Sequence, residues 1–330
     1  MKKDGPQFRR EEYIARINRV IDFIETNIRS ELTLSTLAGV ANFSPFHFHR
    51  IFGAMVGETL NQFIQRIRIE KAVAQLAGNP QKSITEIALD CGFSGSAPFA
   101  RAFKESYGIS ASQWRTRYRL EKSKIRQTKG KDHQLHGKIG KEFDLVSSYI
   151  DAATKNQIWR LKMKEKRQLE FQVEVKEMPE MQLAYVRHIG PYAGDEALFR
   201  RLYEKLMKWA GPRGLLNFPE TQILNIYHDD PNLTEASKLR LSVCITVPKD
   251  TKVDGEIGKM SLPAGKYAFA RFELNVDEFG QAWDAVCGSW LPDSGYQPAD
   301  GPCYEHCLND PKEHLEGKHI VDIVIPVKPL

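Results

Sequence analysis

The chain has 330 residues, 42% of them hydrophobic and 27% charged, enough to build two or three domains with cores of their own. It contains no run of eighteen apolar residues, which excludes a membrane-spanning helix of ordinary length. The net charge of +5 hides an asymmetry: residues 1–168 hold 30 Lys/Arg against 17 Asp/Glu, and residues 169–330 hold 17 against 25. A basic front half points to a polyanionic partner, and an acidic back half to something else.

Along the chain, Leu34, Leu37, Ala38 and Ala41 form an apolar face at helical spacing. Asn42 tolerates the left-handed backbone of a sharp interhelical turn, Ser44 is a good N-cap and Pro45 suits the first helical position. Phe48, Ile51 and Phe52 then make the buried stripe of a second helix. A helix-like rod follows over 61–77; its ~17 residues span ~25 Å. On it, Arg66 and Arg68 are expected to meet phosphate or packing partners.

The same unit then returns. Leu34-Ser35-Thr36-Leu37-Ala38 recurs fifty residues later as Ile84-Thr85-Glu86-Ile87-Ala88, and Asn42-Phe43-Ser44 as Gly92-Phe93-Ser94. After one inserted residue the match resumes, Arg50 with Arg101, Phe52 with Phe103, Gly57 with Gly108, Thr59 with Ser110, and Gln62 with Gln113. In the second copy Ser94 or Ser96 is the expected cap, with Phe99, Ala102 and Phe103 facing inward. A repeat of this kind is one supersecondary unit used twice, here a helix-turn-helix.

A helix in the major groove reads bases near its N-terminus. The candidates are Phe46, His49 and Arg50 in the first copy and Ser96, Ala97 and Arg101 in the second. Arginine grips guanine bidentately, Phe46 and Ala97 suit thymine methyls, and His49 and Ser96 can bond base edges. A lone arginine is more often a solvated one; the same arginine in both copies favours DNA. His47 and His49 lie two apart and diverge on a helix, so no metal is expected there.

Ser44-Pro45-Phe46-His47-Phe48-His49-Arg50-Ile51-Phe52, the linking helix, and Cys91-Gly92-Phe93-Ser94 with Phe99-Ala100-Arg101-Ala102-Phe103-Lys104 and Tyr107-Gly108-Ile109-Ser110 resemble the AraC/XylS transcription factors. The resemblance covers about residues 10–118. It implies an all-α, seven-helix domain placing two recognition helices in adjacent segments of the major groove of double-stranded DNA. It assigns base reading to the six residues named above. Ser110-Ala111 departs from the family's Ser/Thr-Pro, and the small Ser96-Ala97 pair shifts the second copy toward phosphate contacts.

Residues 119–168, with 14 Lys/Arg and 6 Asp/Glu, read as a basic linker, extended before about residue 142, with amphipathic spacing for a helix over 143–158. Lys122, Lys124, Arg126, Lys129 and Lys131 belong to it, and residues 160–164 are basic enough to brush DNA. From Leu169 the period changes. Runs at 171–176, 182–189, 222–228, 239–247, 257–262, 267–273, 303–308 and 319–327 read as strands, with helices over 195–209 and 276–290. The order strand, strand, helix, strand, strand occurs twice, an α+β duplication with two helices over an antiparallel sheet.

In Cys303-Tyr304-Glu305-His306-Cys307, alternation puts Glu305 between two cysteines on one strand face. A carboxylate there is costly unless paired. Tyr192, Tyr227, Tyr267, Trp283, Trp290 and Tyr304 are available to line a cavity around it, which would suit a lipophilic cation through charge and cation–π attraction. The alternative is internal pairing of Glu305 with Arg187 or Arg271. Because His306 points to the other face, the Cys303, His306 and Cys307 trio is not read as a metal site.

His188-Ile189-Gly190-Pro191-Tyr192, Pro263-Ala264-Gly265-Lys266-Tyr267 and Cys303-Tyr304-Glu305, with Asn309-Asp310-Pro311 and 322–327, resemble the GyrI-like effector-binding domains over about 170–330. The resemblance implies two fused modules around a central cleft for hydrophobic or cationic molecules, with Glu305 at its base. Domain order resembles the Rob-like regulators. The expected organisation is thus a DNA-binding domain over 10–118, a linker over 119–168 and an effector domain over 169–330. The expected function is a ligand-responsive transcriptional regulator, an activator of efflux or stress genes. Its partners would be DNA, a small-molecule effector and, as a further candidate, RNA polymerase, with no membrane partner and no cofactor. Catalysis by paired carboxylates is the alternative that Glu305 alone does not satisfy; a protein-binding module for gyrase or polymerase is another. The charged N-terminal stretch and five cysteines without a Cys-x-x-Cys pair place the expected location in a reducing cytoplasm.

Overall fold

The computed structural model describes residues 6–127, 146–150, 157–161, 169–229 and 234–330. Its helices are α1 (Pro6–Thr26), α2 (Leu34–Ala41), α3 (Pro45–Val56), α4 (Leu60–Gly78), α5 (Ile84–Asp90), α6 (Ser96–Tyr107) and α7 (Ala111–Gln127), then α8 (Glu196–Ala210), α9 (Phe279–Ala285) and α10 (Leu291–Ser294). A π-helical turn, Val286–Trp290, joins the last two. Its strands are β1 (Val146–Ile150), β2 (Gln157–Leu161), β3 (Gln172–Met178), β4 (Met181–Ile189), β5 (Ile223–Tyr227), β6 (Arg240–Val247), β7 (Ile257–Leu262), β8 (Gly265–Leu274), β9 (Tyr296–Pro298), β10 (Tyr304–Cys307) and β11 (His319–Pro329). Two compact units result, one of residues 1–15, 42–55 and 165–330, the other of residues 16–41 and 56–164. The segment 42–55, which carries most of α3, clusters with residues 165–330 rather than with the rest of the N-terminal helices.

In the second unit, the sequence repeat is a repeat of helix caps. Thr59 Oγ1 accepts from Gln62 N (3.2 Å) while Gln62 Oε1 accepts from Thr59 N (3.0 Å), starting α4. Fifty-one residues on, Ser110 and Gln113 make the same reciprocal pair (3.2 and 3.0 Å) to start α7. Ser83 and Glu86 box α5, and Thr33 accepts from Thr36 N at the start of α2. Each such cap satisfies backbone donors that the first helical turn leaves orphaned. At α6 the N-cap is Gly95, not Ser94 or Ser96, and no side chain caps it.

Burial follows the apolar stripes. Ile69, Ala72 and Leu76 of α4 meet Ile87 and Ala88 of α5 and Phe99, Ala102 and Phe103 of α6 in one core. Gly92 turns the chain between α5 and α6 with φ 83°, where a Cβ would stand 2.0 Å from the Ile28 carbonyl oxygen. The matching Asn42 adopts φ 54°. Arg66 is a packing partner rather than a free cation: it pairs with buried Glu58 and with Glu70 (3.3 Å) and lies over Phe63.

The helix expected over 143–158 is instead an antiparallel hairpin, β1 against β2, with Val146 opposite Leu161 and Ile150 opposite Gln157. Val146, Tyr149 and Ile150 in β1 and Ile158 and Trp159 in β2 are strand-favouring types, and they outweigh the loose helical spacing. Lys122, Lys124 and Arg126 fall in α7. Lys129, Lys131 and residues 162–164 lie outside the described residues.

In the first unit, the sheet runs β3-β8-β11-β10-β5-β6-β4-β7, with β9 paired to β11. Every pairing is antiparallel. Exchanging β3 with β7, β4 with β8, β5 with β10 and β6 with β11 reverses this order onto itself. The duplication read from the sequence is therefore a pseudo-two-fold, and its axis passes between β5 and β10. Helix α8 packs on β4 and β6 through Leu198, Leu202 and Leu206, in a core that includes Ala184, Val186, Leu241, Val243 and Ile245. Asp195 caps α8 by accepting from Leu198 N (2.9 Å).

Candidate functional site

The two strands that meet on the pseudo-axis pair Glu305 with Asn225. Each of these polar residues is met by a donor from the helix of its own half. Tyr203 of α8 donates its hydroxyl to Asn225 Oδ1 (2.8 Å), and Trp283 of α9 donates Nε1–H to Glu305 Oε1 (3.0 Å). Tyr227 donates to the second carboxylate oxygen, Oε2, at 2.8 Å. Asn225 Nδ2 reaches Cys307 Sγ at 3.5 Å. Glu305 is only 3% exposed. Burial pushes its carboxyl above the usual range, while Trp283, Tyr227 and the charge of Arg50 pull it back. Burial likewise drives the Tyr203 and Tyr227 hydroxyls well above their ordinary value and the Cys307 thiol up to about 12. Among the described residues, Trp283 and Tyr227 meet this buried acid as neutral donors and no cationic side chain forms an ion pair with it.

The cavity candidates divide. Tyr227 and Trp283 touch Glu305, and Tyr192 packs on Tyr227 with ring centroids 5.3 Å apart. Tyr304, next to Glu305 on its strand, necessarily faces the other way; it joins Tyr267 (6.2 Å) in a core with Leu183, Leu224 and Val324. Tyr267 donates to the Pro263 carbonyl (2.7 Å). Trp290 stacks on Tyr296 with ring centroids 6.5 Å apart. Nor is Glu305 paired with either suggested arginine. Arg187 Nε donates to Ser242 Oγ (3.2 Å), and Arg271 forms a two-pronged ion pair with buried Asp322. His306 faces Asp322 on that opposite side, at 3.8 Å.

What closes the carboxylate side is α3. The Arg50 guanidinium lies over the Trp283 ring, 4.2 Å from its centroid. His47, 3% exposed, contacts the Ala299 carbonyl through Nε2 (3.0 Å) and Cys303 Sγ through Nδ1 (3.1 Å). A carbonyl only accepts, so Nε2 carries the proton and the thiol, pushed up to about 12 by burial, donates to Nδ1. Burial first, then the charge of Arg50, brings the His47 pKa down to about 4. At Ala54 the helix approaches Gly288 so closely that a Cβ on the glycine would stand 2.9 Å from the Ala54 Cβ. The first turns of α1 add Arg10 to Asp293 (2.6 Å) and Tyr13 OH to the Tyr296 carbonyl (2.7 Å). A cavity of about 230 Å³ remains, lined by Phe46, His49, Arg50, Tyr227 and Pro302 among others, with the Asp229–Arg240 ion pair (2.8 Å) also on its wall.

The DNA-reading candidates are thus placed differently. Ser96, Ala97 and Arg101 are exposed on α6. On α3, Phe46 is exposed, His49 is half-buried at the cavity, and Arg50 is engaged with Trp283. The sequence pattern did not single out Asn225, Tyr203 or Gly288, and gave neither His47 nor Cys303 a structural role. The duplication carried a usable signal for Asn225, since β5 and β10 hold equivalent places in the two halves. Nothing in the pattern brought α3 to Trp283.

The family model for the GyrI-like small molecule binding domain matches residues 171–328, and one for a helix-turn-helix domain matches residues 37–117. The DNA gyrase inhibitor of Erwinia billingiae is 32% identical over 158 residues, 47% of this chain and 96% of that protein. The SPbeta prophage-derived protein YosT of Bacillus subtilis is 32% identical over 160 residues, 48% of this chain and all of that one. Among solved structures, the EcmrR C-terminal domain aligns over its whole length and 49% of this chain, at 21% identity and a TM-score of 0.41. No helix among the described residues is long and apolar enough to cross a membrane.

Proposed function

For a chain that belongs to the AraC-type helix-turn-helix proteins carrying a GyrI-like small-molecule-binding domain, we propose a transcriptional regulator that senses a lipophilic organic cation at Glu305. One observation carries the choice of ligand. The buried carboxylate has both oxygens held by Trp283 and Tyr227, and the cation stacked on that tryptophan is supplied by the chain itself. A delocalised cation there gains charge neutralisation and aromatic contact in a desolvated setting, where such contacts are strongest. The ligand shifts the protein toward DNA only if it prefers the DNA-competent state. The base-reading residues are Phe46, His49 and Arg50 of α3 and Ser96, Ala97 and Arg101 of α6. The site of action is the cytoplasm, and RNA polymerase is the machinery the bound factor serves. Asn225 stands on the pseudo-axis where paired-carboxylate chemistry would need a second acid, which supports binding over catalysis.

Thermal unfolding of the full chain with and without tetraphenylphosphonium, wild type beside Glu305→Gln, tests this. A stabilisation seen only in the wild type supports the reading; equal shifts in both, or none, would refute it. A second reading, binding to gyrase, is supported by the identity to the DNA gyrase inhibitor of Erwinia billingiae. Inhibition of gyrase supercoiling by the full chain, unaffected by Glu305→Gln, would favour it.

A further inference from the structure

The groups that hold Arg50 are the groups that would hold the cation. Its guanidinium covers the Trp283 ring at 4.2 Å, and that ring's Nε1–H is bonded to Glu305. The helix that carries Arg50 is fixed there by His47 on Ala299 and Cys303, and by the close approach of Ala54 to Gly288. These contacts are specific: a neutral histidine in one tautomer, a thiol donor and a glycine without room for a methyl group. Arg50 is also the residue of α3 with the chemistry to read guanine. One guanidinium cannot stack on Trp283 and enter a DNA groove together.

We propose that Arg50 is a tethered occupant of the effector site, so that an organic cation and DNA act in concert. The cation takes the face of Trp283 beside Glu305, and the displaced α3 becomes free to read DNA. The inference rests on the cation site proposed above and adds its competitor. A guanidinium over a tryptophan also defines the ligand more narrowly. It should be a planar or delocalised cation able to cover an aromatic face, rather than a compact ammonium, which stays hydrated. Because the competitor belongs to the same chain, its effective concentration is high and the apparent affinity of the cation is reduced by the fraction of sites already filled.

The test is calorimetric titration of the full chain with tetraphenylphosphonium for the wild type, Arg50→Ala and Glu305→Gln. It is joined to DNA-affinity measurements on Gly288→Val, using a fragment that the wild type selects from a random-sequence pool. Arg50→Ala should bind the cation about tenfold more tightly than wild type, as expected if the guanidinium fills about nine-tenths of the sites. Gly288→Val touches neither Arg50 nor Glu305, yet it wedges α3 away; it should raise cation-free DNA affinity about tenfold and remove most of the response to the cation. Ala54→Leu builds the same wedge from the other side and serves should Gly288→Val not fold. Equal cation affinity in wild type and Arg50→Ala, with loss in Glu305→Gln, would overturn the tethered occupant and leave the cation site standing. Cation binding to none of the three would overturn both. Folded wedge variants with wild-type DNA affinity and wild-type response would overturn the release of α3.

Discussion

The two helix-turn-helix copies share a sequence register, their helix caps and a left-handed turn, yet their second helices are employed differently. In the second copy, Ser96, Ala97 and Arg101 are exposed on α6. In the first, α3 belongs to the same compact unit as the effector sheet, its His47 is buried and its Arg50 lies on Trp283. Duplication preserved what forms the motif, namely apolar stripes, caps and a turn. It left the outward side chains free to diverge, and in the first copy they acquired a second partner. On the proposed assignment, one reading head is then always exposed and the other is conditional.

The turns offer the largest contrast. Gly92→Ala forces a side chain onto φ 83° with its Cβ against the Ile28 carbonyl, and should cost about 3 kcal/mol in urea unfolding. A loss below about 1 kcal/mol would mean that the turn relaxes freely. His47 gives a comparable effect that is confined to the first copy. Its folded pKa of about 4 lies below the ordinary histidine value of 6.5, so between those two pH values the unfolded chain binds more protons. The stability tied to a neutral His47 is complete above pH 6.5 and declines as the pH falls toward 4, by up to about 3 kcal/mol. Unfolding of wild type and His47→Gln across that window should show a steeper slope in the wild type; parallel slopes would contradict the burial.

Next comes DNA affinity. Arg101→Ala should cost about 1–3 kcal/mol without any cation, whereas Arg50→Ala should cost less than about 0.5 kcal/mol until tetraphenylphosphonium is added, and then about as much as Arg101→Ala. Equal losses for both arginines in the absence of cation would erase the distinction between the copies. The smallest effect is at the first turn, where Asn42→Gly should gain about 0.5 kcal/mol by relieving a left-handed non-glycine residue. A loss there would show that the Asn42 side chain supports the turn.

The features legible in the sequence are those set by local spacing. The repeat at fifty and fifty-one residues located both helix-turn-helix units, because caps and stripes are short-range. The pattern strand, strand, helix, strand, strand in two rounds located the α+β duplication, and alternation alone singled out Glu305. The same alternation already implied that Tyr304 faces away from it. Tyr267 and Trp290 could not be sorted from Trp283 that way, since which aromatics converge depends on sheet register and on the path of the π-helical turn. The pairing of β1 with β2 was obscured by a spacing that also fits a helix. Least legible was the contact of Arg50 with Trp283. It joins residues far apart in the sequence, and an arginine at a base-reading position gives no sign of a second role.

The most direct measurement is the affinity of the wild-type chain for its selected DNA fragment, with and without saturating tetraphenylphosphonium. The cation should tighten DNA binding about tenfold, and Glu305→Gln should abolish the change. An unchanged or weakened DNA affinity, with the cation demonstrably bound at Glu305, would contradict it.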